Sequence, residues 1–246
     1  MRISVVVPTL NEASNVSALL AHPEFARDEV EVIVVDGGSR DRTVAMATDR
    51  GASVLHAPKG RGAQLRAGAE AASGDVIVLL HADTRLGEGA LQAVKDAMKD
   101  PRIVGGNFRL EFDGDSRFAR WTTRFYAWLR RRGVYYGDSA IFVRADVLKD
   151  LGGVPAIEIM EDFALVSQLQ RAGPTVCVET PPARTSSRRF DGRSGAMIVF
   201  GWIKIHLLYW LGVSPQRLAT LYRSEEQRPG VETKTAPRIT GGDTRP

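Results

Sequence analysis

Four short apolar runs constrain this chain more than anything else in it: Ile3-Ser4-Val5-Val6-Val7, Val32-Ile33-Val34-Val35, Val54-Leu55 and Val76-Ile77-Val78-Leu79-Leu80. They are rich in Val and Ile and separated by segments of helical length, the pattern that parallel strands covered on both faces require. Each run ends in a polar cluster: Pro8-Thr9-Leu10-Asn11-Glu12, Asp36-Gly37-Gly38-Ser39, Lys59-Gly60-Arg61-Gly62 and His81-Ala82-Asp83-Thr84. In an open parallel sheet such clusters gather at the carboxyl ends of the strands, where ligands bind. The sequence therefore predicts an α/β fold with one crevice fed by four loops.

Beyond about residue 100 the rhythm changes. Phe108, Leu110 and Phe112 alternate with polar residues, as in a strand wet on one face, which makes the sheet mixed. A basic helix over 117–132, a strand over 140–143, a Gly152-Gly153 turn, a helix over 161–171 and a strand over 175–178 follow. The reading is one domain over 1–228, with a nucleotide-binding half (1–100) and an acceptor half (101–228), then a disordered polar tail over 229–246. The stretch 195–213 carries Lys204 and His206 near its middle, which argues against a membrane span and for a buried or interfacial helix. Trp202, Tyr209 and Trp210 suit a membrane surface and equally a core lid.

Several chemistries drop out. One cysteine, Cys177, forms no intrachain disulfide, and four scattered histidines make no zinc site of Cys/His spacing. With no secretory signal visible at Met1, the expectation is a reduced, cytoplasmic protein. A net charge of +4 admits an anionic ligand, but no nucleic-acid motif accompanies it, so nucleic acid is not expected as a partner. Gly60-Arg61-Gly62 starts a dinucleotide fingerprint that Leu65 breaks, and neither a Walker motif nor a Gly-x-Ser-x-Gly elbow occurs.

The polar residues each admit two readings. Asp36 is a turn-former, or a carboxylate receiving a base imide or ribose hydroxyl. Arg61 is a solvated charge at a helix start, or a contact to a base carbonyl or phosphate. Asp83 is a helix cap or turn residue, or a hard oxygen ligand for Mg2+ or Mn2+. Glu161-Asp162 complements a helix dipole, or supplies a general base. Arg184, Arg188, Arg189 and Arg193 lie in a Ser/Thr-rich loop and form a candidate anion site for phosphate oxygens. Arg130-Arg131-Arg132 reads as a solvated face.

Taken together, Val7-Pro8-Thr9-Leu10-Asn11-Glu12, Val34-Val35-Asp36-Gly37-Gly38-Ser39 with Asp41 and Thr43, the Gly60 to Gly68 segment, Ala82-Asp83 and Met160-Glu161-Asp162 resemble the family 2 inverting glycosyltransferases over roughly 1–222. His81-Ala82-Asp83, Lys59 to Gln64 and Leu211 to Pro215 are similar to a small soluble bacterial subgroup often labelled for arsenosugar biosynthesis. The resemblance implies a GT-A fold, Rossmann-like with a mostly parallel mixed sheet flanked by helices, a nucleotide-sugar donor and a divalent cation. It implies that Pro8, Thr9, Asn11 and Glu12 line the donor nucleotide, Asp36 the base, and Arg61 the base or diphosphate. Asp83 matches the metal-binding aspartate, Asp162 the catalytic base, and Glu161 stands beside it at the acceptor.

Three departures stand out. His81 replaces the first Asp of the family's Asp-x-Asp, Arg66 replaces a frequent Asn, and Arg188-Arg189-Phe190 stands where processive members have Gln-x-x-Arg-Trp. The expectation is a metal-assisted enzyme that transfers one sugar with inversion from a nucleoside-diphosphate sugar, taken as UDP. Its acceptor is a small molecule or lipid-linked, reached from the cytoplasm with peripheral membrane contact through 195–213 left open. The alternative is a nucleotide-sugar-binding module without activity.

Overall fold

The computed structural model describes residues 1–226 apart from Asp191 and Arg193; the side chains of Arg189 and of 223–226, and the tail expected over 229–246, lie outside the described residues. Eight strands form one sheet in the order β3-β2-β1-β4-β7-β6-β8-β5. β1 (Ile3–Thr9), β2 (Val30–Asp36), β3 (Ser53–His56) and β4 (Val76–Leu79) are parallel, with β1 central and Thr9 in register with Asp36. Short β5 (Thr84–Leu86), β6 (Gly105–Phe112), β7 (Ile141–Arg144) and β8 (Thr175–Thr185) extend it, β7 antiparallel to both β4 and β6.

Strand alternation divides the core. Val5, Val7, Val34, Val78 and Phe142 face one side, where α1 (Ala13–Leu20) and α4 (Ala90–Ala97) deliver Val16, Leu19, Leu91 and Val94. Val6, Val35, Ile77, Leu79 and Val143 face the other, against Leu65 of α3 (Arg61–Ala71) and Leu165 and Leu169 of α7 (Glu161–Ala172). α2 (Thr43–Asp49) and α6 (Ala145–Asp150) complete the layers around the first seven strands. The expected mixed sheet flanked by helices is the observed one.

Three further helices gather beside β6. α5 (Arg117–Arg130) starts where the Ser116 hydroxyl accepts from Ala119 N at 3.0 Å, an N-cap. α8 (Gly195–Trp210) packs on it through Ala119, Tyr126, Ile198 and Trp202, and α9 (Pro215–Glu226) folds back on α8 with Leu218 beside Ile205. No helix of the described residues is long and apolar enough to cross a membrane.

The strand expected to stop at 178 continues to Thr185 through Pro181-Pro182. Pro normally ends a strand because it donates no ladder hydrogen bond. Here the pairing with β6 shifts register between Phe108 and Leu110, and beyond the prolines β5 pairs antiparallel with β8, with Thr84 and Thr185 hydroxyls 3.0 Å apart in the interior. Asp83 consequently sits in the turn between two strands, not at a helix start, and Arg184 lies on a strand, not in a loop.

Candidate functional site

The loops after β1 and β2 are stitched to each other. Asn11 adopts a left-handed conformation (φ 57°), its N–H donates to Ser39 Oγ and its Oδ1 accepts from Arg40 N, both at 2.8 Å. Glu12 N donates to Thr43 Oγ1 at 2.8 Å, and Ala13 N to Asp41 Oδ2 at 3.2 Å. From α3, Gln64 Nε2 donates to the carbonyls of Thr9 and Val35, both at 2.8 Å, and holds the two strand ends together. Above this frame is a polar cleft of about 210 Å3 lined by Pro8, Thr9, Glu12, Arg61, His81 and Asp83.

Asp36, 2% exposed, is the turn-former of its first reading, with one carboxylate oxygen left over. Oδ2 accepts from the backbone of Gly38 and Ser39 at 2.9 Å each, a turn of the kind Asp forms, while Oδ1 is buried with no partner among the described residues. Burial pushes its pKa up, but hydrogen bonds from Ser39 and Gly38 outweigh burial and hold it below the usual carboxylate value. Asp83 has no hydrogen-bond or ion-pair partner among the described residues, and no group of three His, Cys, Asp or Glu surrounds it.

The opposite wall of the cleft is built from α7 and the 3-10 turn Gly137–Ser139. Arg61 Nε donates to Glu161 Oε1, and its other nitrogen lies 3.9 Å from Asp162 Oδ2. Burial works against the Arg61 charge, but Glu161 and Asp162 raise its pKa above the ordinary value. Glu161 is 1% exposed, with Oε2 buried and unpartnered among the described residues. Asp162 Oδ2 accepts from Gly137 N at 2.8 Å and Oδ1 from Phe163 N at 2.7 Å, so the carboxylate is fixed by backbone. A Cβ on Gly137 would lie 3.0 Å from His81 Nε2 and 3.3 Å from Asp162 Oδ2. A side chain at this position would make His81 and Asp162 give way by a few tenths of an ångström.

Among the described residues, three with side chains have positive φ, Asn11, Ala140 and Met160, and each belongs to a loop bordering the site. Such outliers persist where the surroundings over-determine them, which is common at functional sites. Asp138 and Gly137, which sequence reasoning passed over, come from the same turn; Asp138 Oδ1 is 3.2 Å from His81 Nδ1, so the histidine replacing a carboxylate faces a carboxylate from elsewhere. No local pattern announces that pair, because its members are distant in sequence.

Past Asp162 the site opens into a second cavity of about 580 Å3 between α5 and α8, with Trp121, Phe125, Leu129, Trp202 and Leu207 among its walls. Arg61 lines both cavities. Tyr136 OH bonds His206 Nε2 at 2.9 Å, and His206 Nδ1 lies 2.8 Å from the Trp202 carbonyl. The carbonyl can only accept, so Nδ1 carries the hydrogen and Tyr136 donates to Nε2. Burial and then the charge of Asp162 push the Tyr136 phenol up to about 12.

Other candidates stand apart. Arg184 pairs with Glu111 at 3.2 Å, and Arg188 turns to Ser186 Oγ at 3.0 Å; neither lines the polar cleft. The Arg189 side chain and Arg193 lie outside the described residues. Arg66 binds Glu70 at 2.9 Å on its own helix. Arg130 is no solvated charge: it donates to Asn107 Oδ1 at 2.5 Å and lies 4.7 Å over the Tyr135 ring.

A family model described as "Glycosyl transferase family 2" matches residues 4–151. Undecaprenyl-phosphate 4-deoxy-4-formamido-L-arabinose transferases of Pseudomonas aeruginosa are 31% identical over 157 residues, 58% of this chain and 46% of theirs, so the chain spans about half the length of these curated relatives. Among solved structures, the mannosyltransferase of Pyrobaculum calidifontis in complex with GDP-Man and Mn2+ superposes with TM-score 0.62 at 17% identity, covering 92% of this chain and 69% of that one. Glucosyl-3-phosphoglycerate synthase of Mycobacterium tuberculosis, in complex with Mn2+, UDP-glucose and phosphoglyceric acid, gives 0.59 at 22%, covering 86% and 80%. These likenesses establish the GT-A fold.

Proposed function

The chain belongs to glycosyl transferase family 2, and from that premise we propose that it is an inverting glycosyltransferase moving one sugar from a UDP-sugar to an acceptor hydroxyl. The observation that carries this reading is Arg61, which lines both the polar cleft and the larger cavity with Asp162 beside it. A donor in the first and an acceptor in the second would meet at that side chain.

In this reading Pro8, Thr9 and Glu12 border the nucleotide, and the unpartnered Asp36 Oδ1 receives a base or ribose hydrogen. Asn11 serves by fixing the loop. Asp162 takes the acceptor proton as the hydroxyl oxygen attacks the anomeric carbon from the face opposite the leaving diphosphate. Gly137 N–H and Phe163 N–H orient that carboxylate. Glu161 anchors Arg61, whose charge faces the developing diphosphate.

A divalent cation fits the donor set as one held by few protein ligands: Asp83 offers one free carboxylate at the cleft, and Mg2+ or Mn2+ accepts one or two carboxylates completed by phosphate oxygens and water. When bound, such a cation neutralises charge on the departing diphosphate. The acceptor is a small molecule or lipid-linked, and the enzyme works from the cytoplasmic side with peripheral membrane contact. The test is incubation with UDP-glucose, UDP-galactose, UDP-N-acetylglucosamine or GDP-mannose and Mn2+. Nucleoside-diphosphate release from one donor, lost in Asp162→Asn, supports the reading; no release and no binding of any donor would overturn it.

A further inference from the structure

The larger cavity is apolar along its length and polar at one end. Phe125, Leu129, Val199, Trp202 and Leu207 form walls from α5 and α8, while Arg61, Asp138 and Asp162 stand at the inner end. A volume of about 580 Å3 is that of a site engulfing a whole small ligand. Aromatic and aliphatic walls of this extent would serve a water-soluble acceptor badly.

The mouth of the cavity lies on an apolar surface. α8 and its C-cap Leu211 expose Met197, Phe200, Ile203, Leu207, Trp210 and Leu211, from 55% at Leu207 to 73% at Trp210. Steps of three or four residues place them on one stripe, and Ile203, Leu207 and Trp210 also line the cavity. Soluble proteins seldom leave so continuous a patch bare. On α5 the sequence Arg117, Trp121, Arg124, Trp128, Arg131 follows the same spacing; both tryptophans are exposed, and the Arg132 guanidinium lies 3.7 Å over the Trp128 ring. Neither helix contains Asp or Glu.

An apolar stripe flanked by Trp and Arg matches the headgroup region of an anionic bilayer. A second copy of the chain is a poorer occupant, since a two-fold contact would bring the arginines of α5 against themselves. The chain beyond 226 is poorer still, with Val231 and Ile239 as its only large aliphatic residues.

The inner end decides the head group. Arg61 there is already engaged by Glu161 and lies 3.9 Å from Asp162, while Asp138, 3.2 Å from His81, adds a further carboxylate to the lining. That balance receives a neutral hydroxyl and repels a phosphate.

We infer that the acceptor is a lipid alcohol, its hydrocarbon chain lying between α5 and α8 and its hydroxyl at Asp162, drawn from an anionic bilayer on which the α8 stripe rests. The inference builds on the transferase reading. The hydroxyl oxygen bonds to the anomeric carbon, the bond from that carbon to the diphosphate breaks with its electron pair on the diphosphate, and the hydroxyl proton passes to Asp162.

The test has two arms. In vesicle flotation the protein should rise with equal parts phosphatidylcholine and phosphatidylglycerol and not with phosphatidylcholine alone. Phe200→Ser with Leu211→Ser, outside both cavities, should cut the bound fraction at least about tenfold, as loss of two buried apolar side chains demands, and leave acceptor-free donor hydrolysis unchanged. In detergent micelles farnesol should stimulate release of nucleoside diphosphate, with farnesyl phosphate and glycerol ineffective, and Leu129→Trp, which lies outside the polar cleft, should abolish the stimulation while UDP affinity stays as in the parent. Stimulation by farnesyl phosphate or glycerol over farnesol, or flotation indifferent to the double substitution, overturns the inference. Donor hydrolysis without any lipid effect sinks this inference alone; failure to bind or hydrolyse any donor sinks the transferase reading beneath it.

Discussion

The carboxyl edge of β1, β2 and β4 and the groove between α5 and α8 are two solutions to holding a ligand. At the strand ends nearly every polar side chain is committed to backbone: Gln64 to Thr9 and Val35, Asn11 to Arg40, Asp36 to Gly38 and Ser39. Among the described residues, one buried oxygen of Asp36 and the carboxylate of Asp83 are left without a partner there. The groove has the reverse economy, with wide apolar walls, exposed aromatic rings and few charged groups, Arg61, Asp138 and Asp162. A rigid polar edge suits a ligand of fixed chemistry such as a diphosphate, and an apolar groove suits one selected by shape and solubility. Asp162 and Arg61 stand on the wall between them, so the comparison is broken most directly there.

Asp162→Asn should lower transfer between about a hundredfold and ten-thousandfold, the range for a lost general base. The amide oxygen can still accept from Gly137 N, so calorimetry should find nucleotide affinity unchanged. Unaltered turnover would move the chemistry away from the shared wall. Next in size, Asp83→Ala should remove the strengthening of UDP binding by Mn2+, an effect of several kcal/mol at most and on the order of a hundredfold, while affinity in EDTA stays as in the parent. An intact Mn2+ effect in that variant would show that the polar edge holds its cation elsewhere.

Gly137→Ala tests the wall itself. Its new Cβ, 3.0 Å from His81 Nε2 and 3.3 Å from Asp162 Oδ2, must displace both side chains. Overpacking of this kind costs roughly 1–3 kcal/mol, visible as a lowered denaturant midpoint, together with reduced turnover at unchanged UDP affinity. Equal stability and turnover would mean that the two cavities tolerate movement of the wall between them.

Legibility in the sequence follows the same division. The strand-end motifs could be read because turn chemistry and β periodicity are local: Asp36-Gly37-Gly38-Ser39 folds on itself whatever surrounds it. The order of motifs carried the family and the sheet. The groove could not be read, because a helix exposing Phe200 and Trp210 has nearly the same sequence as one burying them; the difference lies in which elements pack on it. The pairing of His81 with Asp138 was hidden by a separation of 57 positions, and the Arg184 strand by two prolines that usually end one.

A smaller effect, with a definite sign in pH, comes from Asp36→Asn. Burial raises the Asp36 pKa, the Ser39 and Gly38 donors together lower it by more, and the net value is below the unfolded one. A depressed carboxylate contributes stability fully above its unfolded pKa of about 3.9 and loses it as pH falls through the folded value. The variant should therefore lose about 1 kcal/mol near neutrality, and the gap to the parent should close in denaturant titrations taken well below the ordinary carboxylate range. A gap that widens on acidification would reverse the assignment.

The smallest effect is the one on which the sequence and the fold disagree most. As part of a Ser/Thr-rich loop, Arg184 would be a phosphate ligand, and Arg184→Ala would then weaken UDP binding markedly. On β8 its guanidinium is exposed and spans to Glu111 at 3.2 Å, on the far strands of the sheet and outside the lining of the polar cleft. An exposed ion pair of this kind contributes little. Arg184→Ala should change unfolding free energy by no more than about 0.5 kcal/mol and leave UDP affinity as it was, measured with and without Mn2+. A fall in affinity would place a cation of β8 at the diphosphate, and the polar edge would then extend across the sheet to the strands that carry the apolar groove.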